Sequence, residues 1–252
     1  TIPKYQKTIF VAQKDSEQTR TVINILNKNL KLKSDTARNL REITIGRLCA
    51  QIFQQRLNSI LLDKKSSLLS AYIGTFNLTL NNEFYYIGAQ LKEDEIKEGI
   101  SILFTEIERV KQNGFTPKEL EIEKEKIMLS HEQAIKAKKT RSTNSIVEEY
   151  TRNFLENEFV SGEEREYELM KQLLPTISIN DLNNHFLNWL RFDDRIINIK
   201  YPEKIENIIS KDELLNLETK IQKNKLSQFA SLVKDEPLLE KKLPGSKIIF
   251  TK

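Results

Sequence analysis

The chain has 252 residues, 38% of them hydrophobic and 30% charged, which suffices for a sizeable core and is too apolar in its pattern for a disordered chain. Its 40 lysines and arginines are mixed with 36 aspartates and glutamates, leaving no basic block for a nucleic acid or an anionic membrane. Seven glycines, six prolines and one cysteine, Cys49, exclude a turn-rich sandwich, an intrachain disulfide and a multi-cysteine metal site.

Thr8 to Ala12 (TIFVA) and Thr21 to Asn27 (TVINILN) read as two short strands paired with each other. Thr36 to Leu61 predicts a long helix that turns Ile45, Leu48, Ile52, Phe53, Leu57 and Ile60 toward a core, with Cys49 as filler on that face. From Leu69 to Leu91 the period drops to two, which predicts a hairpin turning at Asn81-Asn82, where asparagine tolerates positive φ.

Glu93 to Ala134 predicts two long helices hinged at Asn113-Gly114-Phe115. Ile96, Ile100, Leu103, Ile107 and Val110 share one face of the first. Gly114 supplies positive φ after its last turn, and Thr116-Pro117-Lys118-Glu119 reads as N-cap, first-turn proline and capping-box carboxylate of the second. Shorter helices follow at 144–156, 162–174 and, after a Ser178 cap, 179–190. A strand from Asp194 to Tyr201 ends at Pro202, and Ser210 to Lys223 predicts one more helix. Leu226 to Lys252 reads as a linker or extended tail. This order describes an α+β domain, a mostly antiparallel sheet with helices packed on one face. The expected division is one domain over 1–202 and a C-terminal helix and linker over 203–252.

Chemistry is sparse. His131 and His185 are the two histidines, and His131-Glu132-Gln133-Ala134-Ile135 begins like HExxH but has isoleucine where a second ligand must stand. His131 borders the helix stripe, which predicts a half-buried structural histidine. There is no HxxEH, no phosphate-cradling glycine loop and no GxSxG elbow. The carboxylate pairs Asp193-Asp194, Glu163-Glu164 and Glu148-Glu149 read as solvated or capping charges, and Phe84, Tyr85 and Tyr86 as sheet packing. No catalytic or metal-ligating residue is assigned, and substrate-binding residues are unknown from sequence. No run is long enough to span a bilayer, and no signal peptide opens the chain. A first residue Thr1 instead of methionine leads us to expect a piece of a longer protein, silent about location.

The succession DSEQTRTVINIL, RLCAQIFQQRLNSIL, SAYIGTFNLTL, GAQLKEDEIKEGISILFTEIERVKQNGFTPKELEIEKEKI, VEEYTRNFLENE and LLPTISINDLN resembles the non-catalytic second domain of insulinase/pitrilysin-type zinc metallopeptidases. The resemblance runs from Lys4 to Pro202, is most specific at Gly114 to Leu120, and is nearest to the bacterial PQQ-associated zinc protease branch. It implies a domain of the mitochondrial-processing-peptidase (LuxS/MPP-like) type, four of which form two bowl-shaped halves around a closed chamber. It implies zinc in the parent, held by an HxxEH of another domain, and no cofactor in this fragment. The implied partners are a peptide substrate in the parent chamber and the other domains of the same chain, with a periplasmic setting. Tyr72 falls where active members place a substrate-touching tyrosine, but the matching arginine position, around Leu62 to Lys64, carries none. Pro237 to Lys247 resembles the hinge into the second half of such enzymes. The fragment alone is expected to be inactive. The alternative is a structural or assembly subunit descended from an inactive protease homologue.

Overall fold

The computed structural model describes residues 6–156, 158, 160–191 and 193–230. Strand β2 (Thr21–Leu30) is the middle of the sheet, and its alternate residues Thr21, Ile23, Ile25 and Asn27 are buried. It pairs antiparallel with β4 (Asn82–Leu91) on one side and with β5 (Arg195–Pro202) on the other. Strand β3 (Leu68–Thr79) forms one edge, antiparallel to β4, and β1 (Ile9–Asp15) forms the other, parallel to β5. The order is β1-β5-β2-β4-β3.

The expected pairing of the first two strands is therefore wrong. Both edges of β2 are occupied, and β5 enters between it and β1. The cause is burial: Ile197 and Ile199 are fully buried and need a neighbour on each side, a demand that local sequence around β1 does not reveal. The hairpin turn is also shifted. Thr79 pairs with Asn82, so Leu80-Asn81 makes the turn, and Asp194 is the non-glycine residue with positive φ among the described residues. The Thr79 hydroxyl closes that turn by accepting from Asn81 N at 3.3 Å and Asn82 Nδ2 at 3.1 Å.

Helix α1 (Ala37–Leu61), capped by the Thr36 hydroxyl, lays Ile45, Leu48, Cys49, Ile52, Phe53 and Leu57 on the sheet. Helix α2 (Ile96–Asn113) adds Ile100, Leu103, Ile107 and Val110, and α3 (Pro117–Ala137) follows through the expected hinge. Gly114 stands at φ 71°, and a Cβ there would lie 2.6 Å from Asn183 Nδ2, so neither the backbone nor the space admits a side chain. The Thr116–Glu119 capping box is formed as read. Helices α4 (Thr143–Glu156), α5 (Glu163–Leu173), α6 (Ile179–Trp189) and α7 (Lys211–Gln222) complete the set, α6 and α7 with capping boxes at Ser178 and Ser210.

The core takes Leu182, Phe186 and Trp189 from α6 and Leu214 and Ile221 from α7. Truncating a fully buried leucine such as Leu48 to alanine would cost about 2–5 kcal/mol. Two buried ion pairs tie the layers together. Arg195 binds Glu218 of α7 through two hydrogen bonds, of 2.6 and 2.9 Å. Arg56, 1% exposed, binds both oxygens of Glu119 at 2.7 and 2.8 Å, the Gly114 carbonyl at 3.1 Å and Glu106 at 3.4 Å. The described part of the expected tail packs onto the domain. Asn113 Nδ2 donates to Leu226 O at 3.1 Å, Arg109 to Ser227 O at 2.7 Å, and Phe229 lies 4.7 Å from the Arg56 guanidinium. The expected hinge at Pro237 to Lys247 lies outside the described residues.

Candidate functional site

The sheet is one-sided. The helices α1 and α2 pack on the face that carries Ile23, Ile25, Ile87, Ala89, Ile197 and Ile199. Because side chains alternate, the register places Val22, Asn24, Leu26, Tyr72, Phe76, Phe84, Tyr86 and Asn198 on the other face. There Tyr72 donates its hydroxyl to Asn24 Oδ1 at 3.0 Å and meets the Tyr86 ring edge-on at 5.8 Å. Burial first, and then the neighbouring Tyr86, push the Tyr72 hydroxyl above its usual range. Gly88 leaves the room: a Cβ there would come within 2.4 Å of both Asn24 Oδ1 and the Tyr72 ring. Asn198, opposite Asn24, has a buried Oδ1 without a hydrogen-bond partner among the described residues.

Toward the hairpin tip this face becomes aromatic and open. Phe76 lies 5.3 Å from Phe84 and 5.8 Å from Tyr86, and is 43% exposed. Leu78 and Leu80 are exposed as well. Strand β3 is also a sheet edge. Gln54 of α1 covers its inner half, donating to Ala71 O at 3.0 Å and accepting from Ile73 N at 3.1 Å. Thr75 and Asn77 carry the next outward-pointing backbone groups; there the Asn77 side chain donates to Glu156 at the end of α4 at 3.3 Å.

These residues offer aromatic surface, hydrogen bonds and a strand edge, which suit holding an extended chain and supply no nucleophile. Leu62 caps the end of α1, and Leu62 to Lys64 lies in the turn before β3, so nothing there stands in for the missing arginine beside Tyr72. His131 is half-buried on α3, as its position on the stripe predicts, and burial lowers its pKa. His185 on α6 packs beside the touching Tyr85 and Trp189 rings, 6.2 and 6.1 Å from them, and burial lowers its pKa too. Among the described residues no three His, Cys, Asp or Glu side chains are grouped to hold a metal ion. Cys49 is the expected core filler, its thiol 3.4 Å from Leu182 O and pushed up by burial.

A model of the family Peptidase M16 inactive domain matches residues 1–127. The chain belongs to this family. No curated protein sequence matches it. The M16 fold is seen in solved structures of low identity. The first half of the periplasmic protease PqqL from Escherichia coli superposes with a TM-score of 0.85 at 16% identity, over 91% of this chain and 50% of that one. The whole PqqL protease gives 0.87 at 16% identity, over 95% and 27%. A mutant of the ferredoxin protease FusC, solved with Arabidopsis ferredoxin, gives 0.75 at 14% identity, over 97% and 28%. The chain thus spans half of the first of these structures and about a quarter of the two longer ones. Among the described residues no helix is long and apolar enough to cross a membrane.

Proposed function

We propose that this M16 inactive domain is a non-catalytic wall of a zinc-dependent endopeptidase. It packs on the zinc domain, helps to close the substrate chamber and contributes substrate contacts, while the chemistry belongs to a neighbour. The observation that carries this reading is the one-sided sheet: an aromatic, hydrogen-bonding face and a strand edge without helices over them, where the opposite face carries the helices and the core. Extended peptides bind such edges by strand addition, with main-chain bonds for affinity and side-chain pockets for selectivity. The outer half of β3, from Thr75, is the edge in question. PqqL is described as periplasmic, which supports the same compartment for the parent protein.

Steady-state cleavage of an extended peptide by the parent protein tests the reading. Phe76→Asp, on the exposed face, is expected to raise KM about tenfold and leave kcat unchanged. An unchanged KM would remove the sheet face from the substrate path. A parent that cleaves nothing and lacks an HxxEH would instead establish the structural or assembly subunit.

A further inference from the structure

A cavity of about 560 Å³ lies beside the outer half of β3, on the helix-covered side of the sheet. Its inner wall is Gly46, Ala50 and Gln51 of α1, Glu83 and Tyr85 of β4, and Trp189 of α6. Thr75 and Asn77 of the open edge line it too, so a strand added there would run along its mouth. The loop after β2 and the end of α4 supply the remaining sides.

Four carboxylates, Glu42, Glu83, Glu156 and Glu158, line the cavity. Gln51 Oε1 is buried with no hydrogen-bond partner among the described residues, an arrangement that costs stability unless something binds it. Burial raises the pKa of Glu83, outweighing the neighbouring Tyr85 hydroxyl and the charge of Lys31. Behind Gly46 lies His185 Nε2, also buried and without a hydrogen-bond partner among the described residues, 3.0 Å from where a Gly46 Cβ would be. The Tyr85 and Trp189 rings, edge to face at 4.5 Å, form an aromatic wall of the kind that attracts cations. Of the cations at the cavity, Lys31 is paired with Glu156, and Lys33 and Arg47 are exposed. The unmet demand is for a cationic group with several N–H donors on an apolar stem.

We propose that this cavity binds the basic side chain, arginine above all, of a peptide laid along the outer half of β3. Glu83 and Gln51 accept from the guanidinium, and Tyr85 and Trp189 flank its stem. The proposal rests on strand addition to β3, and the test separates the two ideas.

Trp189 is the only tryptophan of the chain, so its fluorescence reports on the cavity wall directly. Three short blocked peptides are titrated into the 252-residue chain: one with a central arginine, one with the neutral isostere citrulline, and an arginine peptide with N-methylated backbone amides. The arginine peptide is expected to give a saturable change, with citrulline and the Glu83→Gln variant each at least about tenfold weaker. Equal binding of citrulline and arginine would overturn the arginine pocket while leaving strand addition in place. Equal binding of the N-methylated peptide would overturn strand addition while leaving the pocket. No saturable change below about 1 mM for any peptide would overturn both.

Discussion

Helix α1 carries polar groups into the interior at two places, and the two are finished differently. At Arg56 every direction is answered: Glu119, Glu106 and the Gly114 carbonyl bind the guanidinium, and Phe115 and Phe229 flank it at 5.2 and 4.7 Å. Less than two turns earlier, Gln51 Oε1 is buried without a hydrogen bond from the described residues, beside a cavity wide enough for a ligand. The first arrangement joins α1 to the α2–α3 hinge and the tail. The second leaves an acceptor that no other described residue meets. A closed network stabilises the fold only as a whole; an open one keeps room for something else.

The comparison breaks most visibly if Arg56 is not structural. Arg56→Met leaves Glu106 and Glu119 buried without their shared cation and is expected to lower stability by about 3–5 kcal/mol in urea unfolding. A loss below about 1 kcal/mol would make the network incidental. Next in size is the hinge carbonyl's own residue. Gly114→Ala forces a side chain into positive φ against Asn183 and should cost about 1–3 kcal/mol, read as a lower thermal midpoint.

The open end should respond to pH. Burial, only partly countered by Glu42, holds His185 below the usual imidazole range, so the unfolded chain takes its proton more readily than the folded one. The stability this contributes is complete above the unfolded value of 6.5 and is lost as pH falls through 6.5 toward the folded value. His131, also lowered by burial, acts in the same sense. Urea midpoints between about pH 7 and 5.5 should fall less steeply for His185→Phe than for the parent sequence. An identical slope would place His185 outside the buried end. The smallest effect is expected at Gln51. Replacing an unpaired acceptor removes a desolvation cost, so Gln51→Met should change stability by less than about 1 kcal/mol and in either direction. A loss as large as that of Arg56→Met would mean that Gln51 is already satisfied.

What could be read from the sequence was local. The Gly114 hinge, the Thr116 and Ser178 caps, the α1 stripe and the α3 position of His131 each depend on residues within one or two helical turns, where spacing carries the information. The place of β5 did not show, because its partner β2 lies about 170 positions earlier in register terms and no period spans that gap. Glu119 was legible as a cap, but its second task, holding Arg56 from 63 positions away, was not. The open face was half legible: alternation from Thr75 to Gln90 marked two faces without saying that helices cover only one. The cavity is assembled from the β2–α1 loop, α1, the hairpin, α4 and α6, so no single stretch signals it, although the unusual burial of Gln51 and His185 would draw attention in any structure.

The proposal that the metal chemistry belongs to a neighbouring domain is tested by titrating zinc into the folded protein in a calorimeter. The account predicts no site tighter than about 1 mM, consistent with scattered surface carboxylates and single histidines. Micromolar binding that disappears in His131→Ala would contradict it and place a metal centre in this domain.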